Sequence, residues 1–222
     1  MKFSITFADN SVYFSPIFDI LYGINMIPIV IFKKILLFLA VVLLNSVGYK
    51  AAQIIRPTGI LTMTWIDPLI PYISTFVIPY ALYLPVLILP FILYWNDYKK
   101  YRTMALSLAA VLAASIIIYL IFQTEMTRYE PSQNNIFDSF VSAIQHADAP
   151  VNALPSLHVS IPLMITFFVY IRSRKMGICL LPVTILIILS TVFIKQHAVL
   201  DILGGIILAT IVFRMRKHIE KL

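Results

Sequence analysis

Two histidines stand out in an otherwise oily chain: His158, in Pro155-Ser156-Leu157-His158, and His197, four residues ahead of Asp201. On a helix, positions i and i+4 share a face, so the Asp201 carboxylate can accept the proton of one His197 ring nitrogen and leave the other lone-paired. An imidazole held in this way is a nucleophile or a general base, and His158 is then the natural acid. Pro155 suits the start of a helix, where Ser156, Leu157 and the next residue offer backbone N–H groups with no intrahelical acceptor. Such groups bind phosphate. The two segments together predict a site for phosphate chemistry at the mouths of two helices.

The elements that must position this site lie in a membrane. Apolar residues make up 60% of the 222, charged residues only 12%, and the mean hydropathy is +0.92. A soluble domain is roughly half apolar and about a quarter charged. Apolar runs approaching the ~20 residues that cross a bilayer occur at residues 35–49, 73–95, 104–122, 159–171, 178–194 and 199–213. The expected fold is therefore all-α: a polytopic bundle of six transmembrane helices over residues 33–222, preceded by an interfacial segment over 1–32. Residues 1–32 lack the pattern of a signal peptide, and residues 17–31 are expected to lie amphipathically on the membrane surface. Pro71, Pro79, Pro85 and Pro90 predict kinks in the second run. Residues 136–147, polar and apolar interleaved, predict a short helix lying across the site.

Charge sets the orientation. Thirteen of the 17 basic residues fall on one side: Lys2, Lys33, Lys34, Lys99, Lys100, Arg102, Arg172, Arg174, Lys175, Arg214, Arg216, Lys217 and Lys221. Only Lys50, Arg56, Arg128 and Lys195 remain for the other. Both termini are thus expected in the cytoplasm of a cell bounded by a plasma membrane or bacterial inner membrane, with the histidines on the outer face. The net charge of +7 is an orientation signal. Basic residues scattered at helix ends exclude a nucleic-acid partner. Cys179 is the one cysteine and is expected to be a small buried side chain.

The two histidine segments, in this order and setting, resemble the second and third signature motifs of the type 2 phosphatidic acid phosphatase superfamily. The run Asn152-Ala153-Leu154-Pro155-Ser156-Leu157-His158, and Lys195-Gln196-His197 followed by Asp201 and Gly204-Gly205, resemble its sphingolipid-synthase-like branch, which includes inositol phosphorylceramide synthase-like enzymes. The likeness extends more loosely over about residues 60–215. It departs from the family at two points. The family's first motif is Lys, six residues, then Arg-Pro, whereas here Ile121 stands seven residues before Arg128 and Pro131 comes three residues after it. The arginine that directly follows the third-motif serine is here Thr191, after Ser190.

The resemblance implies an enzyme without metal or cofactor that transfers or hydrolyses phosphate on a lipid. His197 attacks phosphorus, His158 protonates the leaving group, Asp201 orients His197, and a phosphohistidine forms. Arg128 can fork onto two phosphate oxygens; with Lys195, Ser156 and the Leu157 amide it would hold the phosphate. Lys195, an ionisable group beside an apolar helix, could replace the missing arginine. A small chain with no extended acceptor domain favours water as the acceptor, hence a phosphatase. The motif variants keep a head-group phosphotransferase open. A metal-dependent hydrolase with His158, His197 and Asp201 as zinc ligands is opposed by the cations beside them, and a transporter by the bareness of the bilayer midplane. The expected partners are a lipid phosphate and the bilayer; the sequence names no protein partner.

Overall fold

The computed structural model describes residues 16–132 and 135–221, with side chains from Pro28 onward. Helix α1 (Pro16–Leu43) passes through one π-helical stretch, Leu44–Gly48, into α2 (Tyr49–Ile55). Residues 17–31 are thus helical and continuous with the first apolar run; the first dozen residues lie outside the described part. Arg56, ahead of Pro57, leaves the helix at φ −127°, ψ 79°, as the clash of a residue with a following proline requires.

The second apolar run is expected as one kinked helix, but it folds as two. A 3₁₀ turn (Ser74–Phe76) leads into α3 (Val77–Ala81), and α4 (Tyr83–Leu93) comes next. Pro85 has no N–H for the Ala81 carbonyl and its ring crowds that group, so the ladder breaks one turn ahead of it. Helix α5 (Tyr98–Ile121) starts at Asp97, whose side chain accepts from the Lys100 amide at 3.1 Å. Helix α6 (Ile136–Ala147) has the expected bounds and is capped by Asn135, which accepts from the Asp138 amide at 2.9 Å. Then come α7 (Leu157–Arg172), α8 (Arg174–Phe193) and α9 (Val199–Ile219).

Among the described residues, four helical stretches are long and apolar enough to cross a bilayer: Pro28–Ile55, Ser74–Leu93, Tyr98–Ile121 and Arg174–Phe193. Helix α7, with 16 residues, is shorter, and its burial explains why. Ile161, Met164 and Ile165 are sealed among Leu108 and Leu112 of α5, Val86 and Phe91 of α4, and Ile187 of α8. A helix surrounded by helices need not match the thickness of lipid along its own length. The outer surface of the bundle is the reverse of a soluble one, with Ile54 80%, Ile121 75% and Ile92 68% exposed, as fits a hydrocarbon surround. Cys179, expected to be buried, is exposed on α8; lipid is the natural neighbour of a thiol placed there.

At the histidine end the connections are tied together. Strands β1 (Ile60–Leu61) and β2 (Thr124–Glu125) pair in parallel, and Glu125 bridges Val151 antiparallel. A Cβ on Gly59 would come within 2.7 Å of the Thr124 backbone, so only glycine allows this approach. Trp65, 78% exposed, sits in the same connection. Helix α6 lays Val141 against Val77, Tyr80 and Ile194, roofing α3 and the end of α8. His146 on α6 is exposed.

Candidate active site

Helix α7 begins where it does because several groups hold the residues ahead of it. Thr124 Oγ1 accepts from the Leu154 amide at 2.7 Å, and the Tyr119 hydroxyl donates to the Pro155 carbonyl at 2.6 Å. The Ser156 amide donates to the Asp201 carbonyl at 3.1 Å. This corrects the expectation that the Ser156 amide is free: it joins α7 to α9, leaving Leu157 and His158 as the first-turn N–H groups without an intrahelical acceptor. The Ser156 hydroxyl, on the N-cap residue, makes no capping bond and is buried without a partner.

The helices meet closely because α9 carries Gly204-Gly205. A Cβ on Gly205 would lie 2.8 Å from both the Ser156 carbonyl oxygen and Val159 Cβ, and one on Gly204 would lie 2.7 Å from Leu154 Cδ1. The glycine pair therefore serves packing, as small residues do between membrane helices, and the surface it packs on is the start of α7.

His158 sits between aromatic rings. Tyr80 stacks on it at 4.4 Å and 20°, and Tyr83 lies 4.4 Å away at 42°. The Tyr83 hydroxyl donates to Asn45 Oδ1 at 2.6 Å, and Asn45 lies in the π-helical stretch. The centroids of the His158 and His197 rings are 5.9 Å apart.

His197 and Asp201 do come together, although not by sharing a helix. Helix α9 starts at Val199, so His197 precedes it, in a turn where the Gln196 and His197 amides donate to the Thr191 carbonyl at 2.8 and 3.1 Å. Lys195 turns the chain there with φ 56°. Asp201 folds back onto the helix start: its Oδ2 accepts from the Ala198 amide at 2.8 Å, the half of a capping box that an alanine N-cap leaves possible. That turn brings His197 Nδ1 to 3.4 Å from Asp201 Oδ2, without hydrogen-bond alignment. Catalytic hydrogen bonds in unliganded sites are commonly long in this way. His197 is 8% exposed and Asp201 fully buried.

Arg128 reaches the site from the loop after α5. Its Nη2 donates to the Asp148 carbonyl at 2.8 Å, its Nη1 donates to Gln196 Oε1, and its Nε is buried without a partner. Burial pulls its pKa below the usual guanidinium value, while Asp148 pushes the other way. Arg128, Gln196, His197, Tyr49 and Asp148 line a small inner cavity. Asp148 is itself held by the Tyr49 hydroxyl at 3.1 Å and Gln53 Nε2 at 2.7 Å.

Lys195 stands further out. Its Nζ donates to the Asp67 carbonyl at 2.9 Å and to the Ile70 carbonyl, and burial lowers its pKa against the opposing charge of Asp67. It lines an open groove of about 490 Å³ together with Arg128, Asp67, Tyr72, Met126 and Tyr129. Arg128 is shared between groove and inner cavity; the histidines are absent from the groove. Asp67 is buried and caps α9 from outside, accepting from the Val199 amide at 2.8 Å.

Sequence reasoning passed over Gln196, Asp148, Tyr80, Tyr83 and Asn45. Gln196 was legible by its place between Lys195 and His197; its Nε2 is buried and unpartnered. The others carried no local signal, because their neighbours come from distant parts of the chain. Among the described residues, no group of three His, Cys, Asp or Glu side chains is arranged to hold a metal.

A mostly helical chain with membrane-length apolar helices thus brings two histidines together, one of them on a cavity shared with an arginine. Residues 55–215 match the family model of the PAP2 superfamily, and the chain belongs to that superfamily. The matched span contains every residue of the site just described except Tyr49, Gln53 and Asn45. Membership makes it an enzyme of the phosphatase/phosphotransferase type. No curated protein and no solved structure matches the chain.

Proposed function

We propose that the protein hydrolyses a phosphate or diphosphate ester of a lipid through a phosphohistidine on His197. The observation that carries this reading is the pair of rings 5.9 Å apart, His158 and His197, with the Arg128 guanidinium on the His197 cavity. Rings this close can act on one phosphoryl group, one on the phosphorus and the other on the departing oxygen.

His197 Nδ1 faces Asp201, so Nε2 attacks phosphorus in line. A P–N bond forms as the P–O ester bond breaks, and His158 gives a proton to the departing oxygen. Water then attacks the phosphohistidine, His158 takes its proton, and the P–N bond breaks to release inorganic phosphate. Developing negative charge meets Arg128, the unpartnered Gln196 side-chain Nε2, the Ser156 hydroxyl and the Leu157 amide. Lys195 adds positive charge at the groove through which a head group enters. Arg128 and Lys195 beside the histidines suit an anionic substrate and oppose a divalent ion. No metal or cofactor takes part. The chain crosses the membrane six times with both termini in the cytoplasm, and the site opens on the outer face.

Transfer to a second alcohol, as in the sphingolipid-synthase-like branch, is favoured by one feature: the groove of about 490 Å³ beside Arg128, large enough to seat an acceptor. The purified protein, given a lipid phosphate donor with excess diacylglycerol, ceramide or inositol, separates the two. Hydrolysis predicts unchanged phosphate release and no new lipid by mass spectrometry; a new phosphodiester lipid with falling phosphate release would establish transfer. Activity is expected to withstand EDTA and to be inhibited by vanadate.

A further inference from the structure

The end of the bundle opposite the histidines holds a second cavity, of about 580 Å³. It lies where α5 begins, α7 gives way to α8, and α9 ends. Lys100, Arg172 and Arg216 bring positive charge to it from three helices, and Glu220 is the one carboxylate on its wall among the described residues. Two of these charges are already matched: Lys100 pairs with Asp97 at 2.8 Å, and Glu220 with Lys99 at 2.9 Å. The two arginines are not. Arg172 lies over the Tyr94 ring at 5.3 Å, and Arg216 lies over Phe213 at 4.0 Å and donates to its carbonyl. Neither forms an ion pair among the described residues.

Two guanidiniums on one cavity, neither of them paired with a carboxylate among the described residues, repel each other until an anion joins them, and their planar forks match phosphate oxygens. The Ser173 hydroxyl, also on the wall, can donate to the same anion. The rest of the wall is apolar. Tyr94 and Phe168 form a buried floor, while Ile171 and Met176 are 52% and 41% exposed at the rim. A free phosphate has no use for that rim, whereas an acyl chain does.

We infer that this cavity is a binding site for the phosphate head group of an anionic phospholipid, separate from the histidine site and independent of the reaction proposed there. Basic pockets between membrane helices take anionic head groups in this manner. The lipid would clamp the ends of α5, α7 and α9.

Thermal unfolding of the full chain in detergent micelles doped with phosphatidylglycerol, phosphatidylcholine or inorganic phosphate tests this. Phosphatidylglycerol is expected to raise Tm by about 2–4 °C, the effect of a ligand a few-fold above its Kd on a chain of this size. The Arg172→Gln/Arg216→Gln double variant should lose the shift, and Arg128→Gln, at the other end, should keep it. If the double variant does not fold, Arg216→Gln alone should lose about half of the shift. An equal shift with phosphatidylcholine overturns the inference, as does an undiminished shift in the folded arginine variants or its loss in Arg128→Gln. An equal shift with inorganic phosphate overturns the lipid assignment.

Discussion

The Ser156 amide donates to the carbonyl of Asp201 at 3.1 Å, so the residue that begins one histidine segment is bonded to the residue that closes the other. Gly205 makes this possible, since any side chain there would strike the Ser156 carbonyl. The spacing of His158 and His197 is thus set by backbone contact between α7 and α9.

Gly205→Ala should therefore injure activity more than folding. The added methyl must push Ser156 or Val159 aside, at an expected cost of about 1–3 kcal/mol for overpacking. Tm should fall by a few degrees while phosphate release falls by on the order of tenfold or more, as misplacement near 1 Å does. Full activity in a destabilised variant would separate this contact from the chemistry.

His197→Ala should abolish turnover in a protein that still inserts. His158→Ala should slow phosphoryl transfer from an alkyl phosphate to His197, read as the first turnover of leaving alcohol, by about 10²–10⁴-fold yet spare that transfer from an aryl phosphate, whose leaving group needs little protonation. The two substrates compared on the same preparation provide the check. Equal losses on both would remove His158 from the role of acid.

Asp201 both caps α9 and faces His197, and Asp201→Asn divides these roles. The amide oxygen can still accept from Ala198, so Tm should change little; the loss of charge beside Nδ1 should lower kcat by about 10²-fold or more. A large fall in Tm with kcat preserved in the surviving fraction would make Asp201 only a cap.

Arg128→Lys keeps the charge but cannot span Gln196 and the Asp148 carbonyl together. A loss of about 10²-fold in kcat/KM is expected, comparable to removing one charge-stabilising donor. Activity within a few-fold of the parent would show that one positive charge suffices.

Orientation is open to thiol labelling in intact cells. In a Cys179→Ser background, Glu130→Cys at the histidine end should react with a membrane-impermeant reagent and Lys175→Cys at the opposite end should not; both positions are exposed. The reverse pattern would turn the site toward the cytoplasm.

Hydropathy, prolines and motif spacing by themselves determined the helical membrane class, the bounds of α6 and the residue types of the site. These are local properties, since a run of apolar residues must be buried or lie in lipid whatever surrounds it. The meeting of His197 with Asp201 was legible for the wrong reason: an i, i+4 helical pair was expected, but the contact arises from a capping turn because α9 begins only at Val199. The division of the second apolar run at Leu82 was signalled by Pro85, though whether it would kink or break depended on what packed around it. Only the tertiary structure decided what lies beside each histidine. Tyr80 and Tyr83 reach His158, Asn45 holds Tyr83, and Asp148 and Gln196 hold Arg128, through contacts spanning 20 to 78 positions of the chain. Chain distance carries no record of such contacts; they result from the burial of α7 at the centre and the close approach that Gly204 and Gly205 permit.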